Sequence, residues 1–362
     1  MSAISGMRTR NILLGGLAAT ASLAAQAQSS VTLYGLIDIA PAMVSRTNTA
    51  DDRLFRLNSD TGSSSRFGVR GTEDLGGGLA AFFNLEAPLD AKNGSVPGGA
   101  ASGACNAAAG CASATTPAFW RRNAYVGLRG GFGEVTFGRN YTAAIIKQAA
   151  TLSATPSGIN TGMATNLAAQ GLSNDFWNSN QIRYDSPKFG PIDFSAHVAL
   201  GENVTGRNVG GNVGYNDGPL AISLSYQRDE NLAGDAVKWM ILSGSYNFGS
   251  FKVHVAFDDV NNDEGVTGFR DSKFWTVGAS FKATPMLTLA AQYWNLKDSA
   301  SSNSSKQVVL NADYALSRRT ALFAMLGHVN NKDIAVLPLW SSGVTVANDK
   351  VYGLAAGVRH SF

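Results

Sequence analysis

Short segments of this chain alternate between apolar and polar residues, and each ends at a turn signal. In "SVTLYGLIDIA", Val31, Leu33, Gly35, Ile37 and Ile39 share one parity, and Tyr34 and Asp38 take the other. "LAAFFNLEA" sets Leu79, Ala81, Phe83, Leu85 and Ala87 against Asn84 and Glu86. "IDFSAHVAL" sets Ile192, Phe194, Ala196 and Val198 against Asp193, Ser195 and His197. "FKVHVAFDD" opposes Phe251, Val253, Val255 and Phe257 to Lys252, His254 and Asp258. Period 2 is the side-chain period of a strand whose two faces meet different surroundings. A soluble sandwich satisfies it with core and solvent. A barrel wall satisfies it with lipid outside and water inside.

The connectors separate these two. Seven are tight, and each carries Gly, Pro, Asn, Asp or Ser: "DLGGGL", "RGGFGE", "SPKFGP", "NDGPL", "NFGSF", "KATPM" and "LSRRT". Between them lie long polar stretches at 46–62, 91–118, 140–178 and 330–348. Short turns at one rim and long loops at the other are the layout of an outer-membrane barrel, here of about sixteen antiparallel strands. The chain closes on "KVYGLAAGVRHSF", a strand that ends on the aromatic Phe362, as an interfacial girdle requires.

The amino terminus agrees. Arg8 and Arg10 precede an apolar run, Ile12 to Leu23, and then the small residues Ala25 and Ala27. That order is a secretory signal, with cleavage expected after Ala27. Residues 28–362 then form one barrel domain. No segment is a long apolar run able to cross a bilayer as a helix, a fact silent about strands. Of 29 Lys and Arg residues, Arg8 and Arg10 leave with the signal, so the remainder nearly balances the 26 acidic residues. No basic face for nucleic acid is expected. Cys105 and Cys111, in "GACNAAAGCAS", are expected to close a small loop by a disulfide in an oxidising compartment.

Catalytic signatures are missing from the sequence. The histidines, His197, His254, His328 and His360, are not at metal-ligand spacing, and no nucleophile elbow, phosphate loop or dinucleotide fingerprint occurs. His197 and His254 read as solvated lumen groups. "DDVNNDEGVTGFR" has a faint calcium-loop spacing at Asp259, Asn261 and Asp263, but Arg270 stands where a bidentate Glu is needed, so it reads as a solvated loop. No cofactor, metal or enzymatic activity is expected.

Several segments, in order along the chain, resemble the general diffusion porins of Gram-negative, beta-proteobacterial type. They are "QSSVTLYGLIDIA", "SSRFGVRGTEDLGGGLAAFFNLE", "RRNAYVGLRGGFGEVTFGR", "IRYDSPKFG", "YNDGPLAISLSYQ", "GSYNFG", "LSRRTALFAMLGHVNNKD" and "VYGLAAGVRHSF". The resemblance implies a sixteen-stranded barrel, a homotrimer in the outer membrane, and a pore narrowed by the third long loop folding inward. It also implies basic residues on the wall of the constriction, where Arg66 and Arg121 match best.

Parity adds Arg70 to the lumen face with Arg66, and sends Phe67 and Val69 outward. Asp38 and Glu86 share the lumen face and offset part of the charge. Arg122 and Arg139 have the wrong parity in regular strands, and only a bulge would bring them inward. The third long loop carries Lys147 and no carboxylate between Tyr141 and Asn174. A basic ring opposite a loop without acids predicts a passive channel for small hydrophilic solutes and ions that favours anions. A substrate-specific anion channel on the same barrel is the alternative, and a closed structural barrel a further rival.

Overall fold

The computed structural model describes residues 30–45, 53–97, 118–152, 176–202, 206–263, 271–333, 337–339 and 347–362. The expected leader, Cys105 and Cys111 lie outside the described residues. Among those described, seventeen strands form one antiparallel sheet in which each strand pairs with its sequence neighbour, except that β2 and β3 both pair with β1 and not with each other. β1 (Ser30–Ser45) also pairs with β17 (Lys350–Ser361), from Leu36↔Ser361 to Val44↔Gly353, and so closes the barrel. Closure leaves no sheet edge whose backbone groups would go unsatisfied in lipid.

β2 (Arg53–Ser59) and β3 (Arg66–Gly76) are two halves of one stave. The upper half of β1, Ile39 to Ser45, pairs with β2, and its lower half, Ser30 to Leu36, pairs with β3. The barrel therefore has sixteen staves. The rest run in order: β4 (Leu79–Pro88), β5 (Asn123–Gly130), β6 (Gly133–Tyr141), β7 (Trp177–Asp185), β8 (Ile192–Ala199), β9 (Asn208–Asp217), β10 (Leu220–Glu230) and β11 (Ala236–Asn247). Then follow β12 (Phe251–Asn262), β13 (Ser272–Lys282), β14 (Leu287–Asp298), β15 (Ser304–Ala315) and β16 (Thr320–Lys332). All seven tight turns lie where the sequence puts them, at one rim. The opposite rim is less uniform than expected, because β10–β11 and β14–β15 are also joined by brief connections.

The burial pattern is that of a soluble protein turned inside out. His254 is 3% exposed while its neighbour Val255 is 52% exposed, and Gln307 is covered while Leu310 is open. Outward apolar residues need lipid to cover them, and inward polar residues face a lumen. The inward face is not polar throughout, however. Trp239, Ile241, Phe274 and Trp294 are buried inside the wall of β11–β14. Val309, Phe323 and Met325 pack against Leu337 and Leu339, from the loop before β17. Both clusters hold loop segments against the inner wall, which no alternation rule foresees.

One such segment is α1 (Ala143–Leu152), directly after β6. It packs against the inner faces of β7 to β12. Ala144, Gln148 and Thr151 are buried, at the spacing that puts them on one helix face. The inward fold of the third long loop is thus present over the part described.

Candidate functional site

The constriction wall begins with a break in a strand. Between β2 and β3 the chain leaves the sheet over 60–65 and is gathered by Asp38. Its carboxylate accepts the backbone N–H groups of Gly62 (3.2 Å) and Ser63 (2.9 Å). The Asp38 N–H donates to Ser65 Oγ at 3.0 Å. Asp60, in the left-handed region at φ 66°, accepts the Ser65 N–H at 2.8 Å and the Ser59 hydroxyl at 2.9 Å. This knot fixes the start of β3 at Arg66.

The expectation for Asp38 therefore changes. It is fully buried, so it organises the break and presents no charge to lumen water.

Below the break, Glu86 on β4 collects polar groups from β1, β3 and the approach to β5. Its carboxylate lies 3.5 Å from Arg66 Nε and 2.5 Å from Arg122 Nε. The Tyr34 hydroxyl lies 2.9 Å from Glu86 Oε2 and 2.8 Å from Asn84 Oδ1. Tyr34 reaches across β3 because residue 68 is glycine: a methyl group there would sit 2.8 Å from the Tyr34 ring. Arg70 lies over the other part of that ring, 5.0 Å from its centroid. Arg66, Arg70 and Arg122 against Glu86 leave a local excess of two positive charges. Toward the tight-turn rim the excess disappears, since Arg129 stands opposite Glu134 and Arg183 is ion-paired with Asp185.

Arg122 is the residue that parity misassigned. β5 starts only at Asn123, so strand alternation does not reach it. Its backbone N–H donates to the Glu86 carbonyl at 3.1 Å, which turns the side chain inward. The guanidinium donates to the Tyr141 hydroxyl at 2.5 Å and lies 4.8 Å from the Trp177 ring centroid. It is 8% exposed and ties the wall to the root of the third loop.

Arg121 points elsewhere, donating to the Pro97 carbonyl at 3.1 Å. Arg139 follows a register slip at Gly138, which has φ 125°, and donates to the Arg121 carbonyl at 2.6 Å. The structure thus brings Arg66, Arg70 and Glu86 together and leaves Arg121 apart. The Lys147 side chain lies outside the described residues.

The opposite wall holds α1 by neutral hydrogen bonds. Gln148 Nε2 donates to Ser225 Oγ at 2.9 Å and to the Ile241 carbonyl at 3.0 Å, and Gln148 Oε1 accepts from Ser243. His197 and His254 are buried, not solvated. His197 Nδ1 accepts the Ala143 N–H at 3.2 Å, so in the neutral ring Nε2 carries the proton toward Asn208 Oδ1 at 2.6 Å. His254 takes the other tautomer, donating from Nδ1 to the Thr151 carbonyl at 3.1 Å. The carboxylates on this wall, Asp193, Asp229 and Asp258, are at most 7% exposed. Arg66 keeps 29% of its side chain exposed, and Arg70 is open.

Asp259 and Asp263 are paired with Lys273 and Lys238, and no metal-binding cluster occurs among the described residues.

A closed barrel with an apolar exterior, a polar inner wall and a loop folded into its lumen is an outer-membrane channel. The model of the Gram-negative porin family matches residues 16–334, and this chain belongs to that family. It is 32% identical to outer membrane porin protein 32 of Delftia acidovorans, over 98% of this chain and all of that one. It is 26% identical to the major outer membrane protein P.IB of Neisseria gonorrhoeae, over 94% of this chain and 97% of that one. Among solved structures, an anion-selective porin from Comamonas acidovorans matches with a TM-score of 0.77 and 30% identity, covering 92% of this chain and all of that one. The trimer form of OmpT from Vibrio cholerae shares the fold, with a TM-score of 0.65 and 17% identity over 92% of this chain and 99% of that one. The protein is an outer-membrane porin, a water-filled path for passive diffusion of small hydrophilic solutes and ions.

Proposed function

We propose that this porin selects for small anions at the wall formed by Arg66 and Arg70. One observation carries the reading: these two cations are open to the lumen, while Glu86 is already engaged by Arg66 and Arg122. The carboxylates across the lumen are buried, so they contribute less to the field a passing ion feels. The similarity to an anion-selective porin supports the same sign. Arg122, behind them, positions the wall and does not itself meet the ion. No bond is made or broken; the solute diffuses down its gradient. The working form is a homotrimer, after removal of residues 1–27, and the similarity to a porin solved as a trimer supports that assembly.

The test is single-channel recording in a planar bilayer under a salt gradient. An anion-signed reversal potential that moves toward zero in R66Q/R70Q supports the reading. A cation-signed potential in the native protein overturns it. Conductance that rises linearly with salt distinguishes free diffusion from a specific anion site, which would saturate.

A further inference from the structure

The charge of the inner wall changes sides between the eyelet and the tight-turn rim, the rim that outer-membrane barrels turn to the periplasm. At the eyelet the open cations, Arg66 and Arg70, stand on β3. Lower on that half of the barrel the balance is acidic. Asp74 on β3, Glu134 on β6, Asp185 on β7 and Asp193 on β8 outnumber Arg129 and Arg183.

The half formed by β12 to β17 does the reverse. Lys252 pairs with Ser280 and Lys282 with Thr288, and the Arg319 carbonyl accepts the Ser361 N–H at 2.8 Å. All three residues are therefore still within the ladder, where alternation decides the side. Lys252 has the parity of His254, which is buried against α1. Lys282 has the parity of Thr276, and Arg319 that of Phe323, both buried on the inner wall. The three cations thus edge the lumen at its periplasmic mouth, with Lys282 and Arg319 exposed and Lys252 half-buried. Among the described residues none of them has an ion pair. Asp313, the carboxylate of inward parity near this end of the arc, is taken by Arg359 at 2.7 Å. Lys252 and Lys282 are also diagonal neighbours, within reach of each other's long side chains, so they repel with nothing beside them to offset it. Packing of the wall does not require that arrangement; a water-filled mouth that attracts anions does.

We infer that Lys252, Lys282 and Arg319 form a second anion-attracting element, which raises anion access from the tight-turn side alone. An anion leaving Arg70 meets the carboxylates of its own wall below and the cations of the other, so its path crosses the lumen on the way out. The inference rests on the anion reading of the eyelet only for this cooperation between the two elements. Three unit charges about 10 Å from an ion in water raise the local anion concentration about eightfold without salt and about twofold at 0.1 M salt, and cations fall by the same factor. At 1 M salt, where screening acts within about 3 Å, little of this survives.

The experiment is the reversal potential of single channels between 0.1 M and 1 M potassium chloride, with the gradient applied in one direction and then the other. K252Q/K282Q/R319Q should lower the anion-over-cation permeability ratio by about fourfold when the dilute salt bathes the tight-turn rim, and by far less when the concentrated salt does. K282C, modified by an impermeant anionic thiol reagent added to one chamber at a time, identifies the chamber that this rim faces. R66Q/R70Q should instead lower the ratio in both directions. K306Q/K332Q/K350Q, which removes as many cations from outward parity, should leave both ratios as they are. Each variant must keep the heat-sensitive mobility of a folded barrel; if the triple variant fails to fold, K282Q/R319Q, confined to the two exposed positions, should show part of the same one-sided loss. Native ratios in the variant that folds overturn the inference. So does an equal loss in both directions, or the same loss in the outward control, which would reduce it to net charge. A cation-signed potential in the native protein defeats the eyelet reading alone, and the one-sided loss still decides this one.

Discussion

Two walls face each other across the lumen, and they are built by different forces. The wall of β1, β3, β4 and β5 is held by charge: Glu86 bridges Arg66 and Arg122, and Tyr34 and Tyr141 extend the network. The wall of β8 to β12 is held by neutral amides, hydroxyls and histidines around α1, with carboxylates buried behind them. The first wall leaves cations open to water; the second leaves almost no exposed charge. A field across the eyelet therefore comes mainly from one side. The difference also separates two tasks, since the neutral wall can position the loop without competing for the permeating ion.

The sharpest way to break this comparison is to remove the bridge. Glu86→Gln strands two arginines, one of them nearly buried, and breaking such a pair costs about 3 kcal/mol, the low end of the usual range because Arg66 is partly screened by water. The unfolding midpoint in detergent should fall, and anion selectivity should rise. Unchanged stability would mean that the charged wall is held by packing alone.

On the neutral wall, Gln148→Leu deletes the amide contacts to Ser225, Ile241 and Ser243. Unsatisfied partners cost about 1–3 kcal/mol, here against the docking of one loop and not against the barrel. Open-channel current noise and protease access to the third loop should increase while the barrel's unfolding midpoint stays put. A barrel that loosens as much as in Glu86→Gln would erase the distinction between the walls.

The barrel was legible in the sequence because it rests on local rules. Alternation and turn residues report which parity is apolar and where strands reverse, and both survive in a single chain. What alternation cannot reach is what happens where strands stop. Arg122 sits one residue before β5, Arg139 follows a slip at Gly138, and Asp38 is consumed by a strand break that no periodicity announces. Leu337 and Leu339 lie in a loop expected to be polar, yet they fill the inner wall. Each of these depends on long-range contacts, so parity could put Arg66, Arg70 and Glu86 on one face, and the resemblance could offer Arg121, without showing that its guanidinium turns to the Pro97 carbonyl.

The open arginines set the next scale. Two charges about 6 Å from an ion in water contribute about 1.4 kcal/mol together, or about tenfold in anion preference. Arg66→Gln with Arg70→Gln should remove most of that at low salt, and molar salt should shrink the effect, since screening then acts within about 3 Å. Arg121→Gln, with its guanidinium on Pro97, should shift the reversal potential far less. If it shifts as much, the field arises above the eyelet and the two-wall account is misplaced.

The smallest effect tests the strand break that sets Arg66 in place. The Asp60 carboxylate accepts the Ser65 N–H at 2.8 Å and the Ser59 hydroxyl at 2.9 Å in the bend where β2 gives way to β3. Asp60→Asn keeps the acceptor for the Ser65 N–H and the Ser59 hydroxyl, and asparagine tolerates the left-handed backbone there. The variant should therefore stay within about 1 kcal/mol of the native barrel at neutral pH, since both hydrogen bonds keep their acceptor. A clear loss at neutral pH would mean that the ionised carboxylate works with Arg122 to hold the charged wall, extending that network upward from Glu86 into the break itself.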